Sequence, residues 1–215
     1  MATTIEPVDP ERPEQDHLTA AAVVLRSGGL VVYPTETFYA LGADALDRAA
    51  VEKVFAAKGR PGAMALPVIV GDVGDLGRVA ANLPEGAQAL IDAFWPGPLT
   101  LVLPAAAAIP HGLLGGGRTV GVRLSPHPIA RGLARAFGGP IVATSANRSG
   151  QPAPGTAAEA AAQLKEGVEL VLDGGRTHGG APSTIVDLSC DPPRLVRAGP
   201  ISSLAVEAAL GRRLA

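Results

Sequence analysis

Three short apolar segments near the C-terminus decide the fold class: VELVL at 168–172, STIVDL at 183–188 and RLVR at 194–197. Each segment is rich in Val, Ile or Leu and is bounded by Gly or Pro, which is typical of β-strands. No helical pattern separates the three segments, whereas strands and helices alternate in the chain ahead of them. We therefore predict an α/β fold with one twisted sheet that mixes parallel and antiparallel strands.

The rest of the chain fits a single domain. Apolar runs at 30–33, 99–103 and 119–124 predict further strands, and Thr35–Gly42 is predicted as a polar, aromatic loop. Residues 1–15 are acidic and Pro-rich, without an apolar core, so we expect a flexible leader and no signal peptide. A single folded domain is accordingly expected over residues 16–215.

Composition excludes several classes of protein. The chain has 215 residues, of which 47% are hydrophobic, and a net charge of −2. A disordered chain would not be so apolar, and strong attraction to bulk nucleic acid or a membrane surface would need a positive charge. One cysteine excludes an internal disulfide and fits a reducing cytoplasm. No apolar run reaches the length of a membrane span, so we expect no membrane partner.

Familiar catalytic motifs are missing. The four histidines are scattered without zinc-ligand spacing, and no cysteine cluster exists, so no metal site is predicted. The sequence contains neither the P-loop pattern nor the Gly-rich fingerprint of dinucleotide-binding folds. A bound nucleotide would have to be held in another way.

Polar residues at the ends of predicted elements are the remaining candidates. Lys58-Gly59-Arg60-Pro61 ends a helix, where a cation and a glycine are ordinary capping residues but could also clamp a triphosphate. The segment 144–150, TSANRSG, follows a buried strand, where α/β sheets bind ligands, although Ser and Asn also stabilise plain turns.

Three further positions can also be interpreted either as ordinary structural residues or as ligand-binding residues. Thr35 lies in a turn-like segment after a strand, and Arg197 could be an edge-strand charge that faces water. Arg123 lies inside an apolar strand and needs an anion, which could be a ligand or an internal carboxylate such as Glu36.

Taken together, the segments resemble one family. Their order along the chain is similar to that of the YrdC-like threonylcarbamoyl-AMP synthases: YPTETFYALGADA (33–45), KGRP (58–61), VGVRLS (120–125), VATSANRSGQPAP (142–154), APSTIVDLS (181–189) and LVRAGP (195–200). The resemblance covers about Leu18 to Leu204 and implies a large cleft lined by positive charge. It is closest to the short, single-domain form of the family.

The resemblance implies a reaction and a site. Such enzymes join L-threonine, bicarbonate or CO2 and ATP into L-threonylcarbamoyl-AMP and release pyrophosphate. The catalytic group would be Lys58, Arg60, Ser145 and Asn147, and L-threonine would bind at Thr35, Arg123, Ala143 and Ser183. The contacts to ATP would be Lys58, Gly62, Thr119, Ser145, Ala153 and Arg197.

The resemblance also implies cofactors and partners. Mg²⁺ would arrive on ATP, without a metal site of the protein's own. The resemblance implies that the product passes to the machinery that transfers threonylcarbamoyl to tRNA, with a weak contact with tRNA itself. The segment after Pro61 departs from the family pattern, because Pro-Leu and a nearby histidine are absent from Gly62–Val70.

Two alternatives of other classes stay open at this point. The chain could be a double-stranded RNA or tRNA-binding module without catalysis, although its charge of −2 and its few aromatic residues weigh against this. It could also be a carbamoyl-transfer domain, which usually belongs to a much longer protein.

Overall fold

The computed structural model describes residues 3–59, 64–164 and 167–215. Over these residues the strands are β1 (Thr4–Pro7), β2 (Val31–Pro34), β3 (Tyr39–Gly42), β4 (Val68–Ile69), β5 (Leu99–Pro104), β6 (Thr119–Arg123), β7 (Ile141–Val142), β8 (Thr144–Ser145), β9 (Leu170–Asp173), β10 (Thr184–Asp187) and β11 (Arg194–Arg197). The α-helices are α1 (Gln15–Arg26), α2 (Arg48–Lys58), α3 (Ala87–Phe94), α4 (Pro128–Phe137), α5 (Ala157–Leu164) and α6 (Ser203–Leu210), and a 3₁₀ helix covers Val73–Arg78.

The strands form two sheets. One has the order β1-β9-β2-β3-β8 and the other the order β11-β10-β5-β6-β4-β7. Each sheet mixes parallel pairs, such as β2 with β9 and β5 with β10, with antiparallel pairs, such as β2 with β3 and β5 with β6. The mixed α/β class is therefore confirmed, and the strands divide between two sheets where the sequence predicted one.

The chain crosses from one sheet to the other at Ala143. Ile141–Val142 pairs with β4, whereas Thr144–Ser145 pairs with β3. Between them, the backbone N–H of Ala143 donates to the carbonyl of Pro67 at 2.9 Å. The predicted Thr144–Asn147 motif therefore leaves the crossover at the junction of the two sheets.

The prediction of a flexible leader is wrong for residues 4–7. Strand β1 pairs in parallel with β9, in the register Thr4 with Leu170 to Pro7 with Asp173, and forms the edge of the five-stranded sheet. An edge strand has few buried side chains, so its sequence carries little of the apolar pattern that predicts strands. Backbone hydrogen bonds to β9, rather than buried apolar side chains, hold β1 in the sheet.

The loop predicted over Thr35–Gly42 is also wrong in its second half. Tyr39–Gly42 forms strand β3, antiparallel to β2, and all four residues are buried. Only residues 35–38 make the turn between the two strands, where the N–H of Thr35 donates to the carbonyl of Phe38 at 3.1 Å.

Helices cover the sheets and complete the core. Helices α1 and α4 pack together on the five-stranded sheet through buried residues such as Leu25 and Leu133. A larger apolar cluster includes residues of both sheets and of α2, α3 and α5. Among the described residues, no helix is both long and apolar enough to cross a membrane.

Candidate active site

A cavity of about 810 Å³ opens between the two sheets. Strands β5, β6 and β10 of the six-stranded sheet line one side, and β3 and β8 of the five-stranded sheet line another. Alternate residues of a strand point to the same face. Thr100 and Val102 therefore face the cavity together, as do Thr119, Gly121 and Arg123 of the next strand.

Most of the predicted site residues line this cavity. All four residues that the resemblance assigns to threonine line the cavity: Thr35, Arg123, Ala143 and Ser183. Of the described residues assigned to ATP, all but Lys58 line it as well: Thr119, Ser145, Ala153 and Arg197. Residues more than 140 positions apart in the sequence thus converge on one volume. Arg60 and Gly62 lie outside the described residues.

Lys58 lies behind the cavity wall. Its side chain is buried at 3% exposure, and Nζ donates to the carbonyl oxygens of Ser145 and Asn147, with 2.8 Å to the latter. Gly59 ends α2 in the left-handed conformation at φ 58°, which confirms the predicted helix-capping role of Lys58-Gly59. Lys58 thus joins the end of α2 to the Ser145–Asn147 loop.

Asn147 also lies behind the wall and supports Ser145. The Ser145 hydroxyl donates to Asn147 Oδ1 at 2.5 Å, and Asn147 Nδ2 donates to the carbonyls of Arg148 and Gln151 at 2.9 and 2.6 Å. Both ends of the Asn147 amide are therefore engaged by the loop itself. Ser145 reaches the cavity, while Asn147 fixes the direction of its hydroxyl.

Arg123 reaches the cavity from strand β6 and is 9% exposed. Its guanidinium forms an ion pair with Glu36, so the internal carboxylate considered from the sequence is present. Burial, with a smaller contribution from the nearby charge of Arg197, lowers the pKa of Arg123 to about 10. Arg123 remains a cation at neutral pH, and a guanidinium has five N–H donors, more than one carboxylate can use.

Thr35 closes the turn between β2 and β3. Its hydroxyl donates to the Phe38 carbonyl at 2.7 Å and accepts from the backbone N–H groups of Thr37 and Phe38 at 3.3 Å. The turn interpretation of this motif is therefore confirmed. The same hydroxyl lines the cavity, so its turn role sets its position at the site.

Ser183 and Arg197 are joined across the β10–β11 hairpin. Arg197 donates to the Ser183 carbonyl at 2.8 and 3.0 Å and to its hydroxyl at 3.0 Å. The Ser183 hydroxyl also lies 2.8 Å from that of Thr100. Desolvation lowers the pKa of Arg197 below its usual value. This edge-strand arginine is thus folded back onto a polar residue of the cavity.

Sequence reasoning left six polar lining residues unassigned: Thr37, Tyr39, Thr100, Thr144, Asp187 and Arg194. Strand alternation could have found Asp187, because Ser183 and Asp187 are four residues apart and face the same side. Thr100 carries no such signal, because it lies in an apolar strand far from the family segments. Asp187 is buried at 8% exposure and pairs with Arg194 at 3.3 Å.

Metal-binding clusters are absent from the described part of the chain, where no group of three or more His, Cys, Asp or Glu could hold an ion. Asp187 supplies a single carboxylate to the cavity. Hard cations such as Mg²⁺ prefer several oxygen ligands and are commonly carried by substrate phosphates.

Comparison with known proteins gives the family. A family model for Sua5, YciO and YrdC proteins, described as "Telomere recombination", matches residues 23–199. The chain belongs to the Sua5/YciO/YrdC family. This confirms the resemblance drawn from the sequence segments.

Two curated members of the Sua5/YciO/YrdC family illustrate the similarity. A threonylcarbamoyl-AMP synthase of Pyrococcus abyssi is 43% identical over 201 residues, which cover 94% of this chain and 59% of that protein. A putative threonylcarbamoyl-AMP synthase of Mycobacterium tuberculosis is 40% identical over 211 residues, covering 98% of this chain and 96% of the relative. The chain thus spans under two thirds of the P. abyssi relative and nearly all of the M. tuberculosis one.

A solved structure of the Sua5/YciO/YrdC family has the same fold. The crystal structure of P. abyssi Sua5 complexed with L-threonine superposes with a TM-score of 0.93 at 42% identity, covering 99% of this chain and 63% of that chain. At this similarity the two chains share one fold over nearly the whole of the present chain.

Proposed function

We propose that this chain synthesises L-threonylcarbamoyl-AMP from L-threonine, bicarbonate or CO2 and ATP, with release of pyrophosphate. One observation carries the proposal: a single cavity is lined by both the threonine set, including Thr35, Arg123 and Ser183, and the ATP set, including Ser145 and Arg197. The printed names of the relatives support it, as does the L-threonine bound to P. abyssi Sua5.

The threonine half of the site follows from charge and hydrogen bonding. Arg123 pairs with the substrate carboxylate through donors that Glu36 does not use, because a guanidinium can serve two acceptors at once. Thr35 also lines the cavity, and the resemblance assigns it to L-threonine. Ser183 contributes a second hydroxyl.

The reaction needs positioning and charge stabilisation and no protein nucleophile. The threonine amine attacks CO2 to form an N–C bond and loses a proton, giving a carbamate. A carbamate oxygen then bonds to the α-phosphorus of ATP, and the bond from that phosphorus to the pyrophosphate oxygen breaks. Preorganised cations and hydrogen-bond donors supply most of the catalysis in such transfers.

In this proposal the nucleotide is bound by Arg197 and Ser145, and Lys58 holds the loop that carries Ser145. Arg197 is a cation at the cavity, and the Ser145 hydroxyl faces it on a loop that Lys58 and Asn147 hold. Arg60 and Gly62 are assigned to the same half by resemblance. Mg²⁺ bound to the triphosphate would neutralise part of its charge.

The proposal extends to partners. The product is an activated acyl phosphate, so we assign it to the machinery that transfers threonylcarbamoyl to tRNA in the cytoplasm, with at most a weak direct contact with tRNA. This part rests on the family resemblance.

Pyrophosphate release tests the activity. The chain is incubated with ATP, Mg²⁺ and bicarbonate, alone and with each of several amino acids, and pyrophosphate is measured. We expect release that needs both L-threonine and bicarbonate. Release without any amino acid would overturn the proposal, and release that needs carbamoyl phosphate instead would favour a carbamoyl-transfer domain. RNA binding that falls steeply with salt, without ATP turnover, would favour the RNA-binding alternative.

A further inference from the structure

Three residues form a transverse row on the floor of the cavity. Asp187 of β10 is paired in register with Val102 of β5, and Val102 is paired with Gly121 of β6. All three line the cavity. Because neighbouring strands lie about 4.8 Å apart, the row extends over roughly 10 Å. This row is separate from the residues assigned by family resemblance.

Gly121 makes one end of the row flat. A Cβ at this position would lie 3.3 Å from Thr100 Cγ2 and 3.7 Å from Pro67 Cβ, so a side chain would fill space above the sheet. The backbone at Gly121 is not in the left-handed region, so the chain conformation does not demand glycine there. Glycine inside a strand weakens the strand and often marks a close approach by a ligand. With the apolar Val102 beside it, Gly121 leaves a smooth apolar floor.

Asp187 supplies an acceptor at the other end of the row. Its Oδ1 accepts from the N–H and hydroxyl of Ser189 at 2.9 and 2.6 Å, and Oδ2 accepts from Arg194 at 3.3 Å. A carboxylate can accept about four hydrogen bonds, so Oδ2 can take one more donor. Among the described lining residues, Asp187 carries the single carboxylate.

The charges separate along β10. Ser183, where Arg197 donates its hydrogen bonds, and Asp187 are four residues apart, which is about 13 Å along a strand. An anionic group is stabilised near Arg197, whereas at the other end Arg194 balances the charge of Asp187 and the remaining acceptor capacity of Asp187 favours a group with N–H donors. A nucleotide has its phosphates at one end and its base at the other, so its polarity matches that of the cavity.

We propose that Gly121 and Val102 form the floor for the purine base of the nucleotide and that Asp187 accepts a hydrogen bond from its 6-amino group. The inference rests on the proposed function, because it assigns the base end of the same ATP. It makes Asp187 a specificity-determining residue. A base without the amino group leaves Oδ2 without its added donor and binds more weakly.

Binding of two nucleotides tests the role of Asp187. ATP is compared with purine riboside triphosphate, which lacks only the 6-amino group, by calorimetry on the full chain. We expect the wild type to prefer ATP by about tenfold or more, the gain from one hydrogen bond to a charged group. In Asp187→Ala both nucleotides should bind alike. Arg194→Ala, which removes the ion pair but keeps the acceptor, should retain the preference.

Equal affinities in the wild type would overturn the inference, and this comparison needs no variant to fold. A uniform weakening of both nucleotides in Asp187→Ala would also overturn it, because a structural role affects both alike. Gly121→Val tests the floor: ATP binding should weaken by about tenfold or more while L-threonine binding is kept, and unchanged ATP affinity would contradict the floor.

The same measurements separate this inference from the proposed function. An Asp187-dependent preference for ATP, without threonine-dependent pyrophosphate release, would refute the synthase and support the base site. Threonine-dependent pyrophosphate release without a preference for ATP would support the synthase and refute the base site. A chain that binds no nucleotide would refute both.

Discussion

Arg123 and Glu36 form an ion pair that holds a buried guanidinium in the wall of the cavity. Glu36 is itself fixed, because its Oε2 accepts from the Ser125 hydroxyl at 2.8 Å. The turn after β2 and the segment after β6 are therefore joined through one carboxylate. This arrangement fixes the direction of Arg123 before a substrate carboxylate arrives, so little ordering is left to the binding step.

Arg123→Lys should lower the affinity for L-threonine by about tenfold or more. An ammonium is a compact charge and cannot present a planar fork to Glu36 and to a substrate carboxylate at once. Titration calorimetry with L-threonine measures the change. Arg118→Lys is the matched control, because Arg118 is exposed and lies just ahead of the same strand. Unchanged threonine affinity in Arg123→Lys would remove Arg123 from the substrate site.

Lys58→Met should reduce the rate of threonine-dependent pyrophosphate release by about 100-fold, the scale of the loss when a group at the site is misplaced by a change behind it. The variant also loses the two hydrogen bonds to the Ser145 and Asn147 carbonyls, so the loop that carries Ser145 is no longer held. Steady-state kinetics over a range of ATP concentrations measures the effect on kcat and KM separately.

Lys53→Met provides the control for Lys58. Lys53 lies on the same helix, is exposed, and donates to the Gly28 carbonyl at 2.6 Å, away from the cavity. Its replacement should leave pyrophosphate release unchanged. Equal rates in the two variants would show that Lys58 has no role in the reaction.

The sequence predicted those parts of the fold and site that have a local signature. The three C-terminal strands are present as β9, β10 and β11, because their apolar runs are bounded by Gly and Pro. The need of Arg123 for an anion followed from its apolar strand alone, and Glu36 is that anion. The grouping of Thr35, Ser145 and Arg197 came from the resemblance, since spacing says nothing about residues so far apart.

Features that depend on tertiary pairing could not be predicted in this way. Strand β1 is held by pairing with β9, and its own sequence is acidic and Pro-rich. The division into two sheets depends on the crossover at Ala143, which is a small residue between two short strands. The row of Asp187, Val102 and Gly121 depends on strand register, which no single segment encodes.

Removal of residues 1–7 should destabilise the domain by about 2–4 kcal/mol, since a strand's hydrogen bonds contribute about 1 kcal/mol each. The variant exposes the edge of β9 and removes contacts such as the hydrogen bond from the Thr3 hydroxyl to the Val168 carbonyl at 2.9 Å. Urea unfolding measures the change. Glu11→Ala, in the exposed segment after β1, should leave the unfolding midpoint unchanged. An unchanged unfolding midpoint in the shortened chain would show that residues 1–7 behave as a flexible leader.

His127 should make the stability of the domain depend on pH. Burial lowers the pKa of His127 to about 4, below its usual value of 6.5, and the charge of His178 contributes. Its Nδ1 accepts from the backbone N–H of Ile129 at 3.2 Å and caps helix α4, which requires the neutral ring. Below pH 6.5 the unfolded chain binds a proton that the folded chain rejects, so stability is lost as the pH falls from about 6.5 to about 4.

His127→Asn should flatten this pH dependence, because asparagine caps helices without titrating between pH 4 and 6.5. Free energies of unfolding from urea titrations between pH 4 and 8 measure the slope in both proteins. His17→Asn is the opposite case: the hydrogen bond that the His17 ring donates to the Glu6 carboxylate raises the pKa of His17, so its stabilising effect is present at low pH and is lost as the pH rises. The two variants should therefore change the slope in opposite directions, and the same slope in wild type and His127→Asn would show that His127 keeps its ordinary pKa in the folded domain.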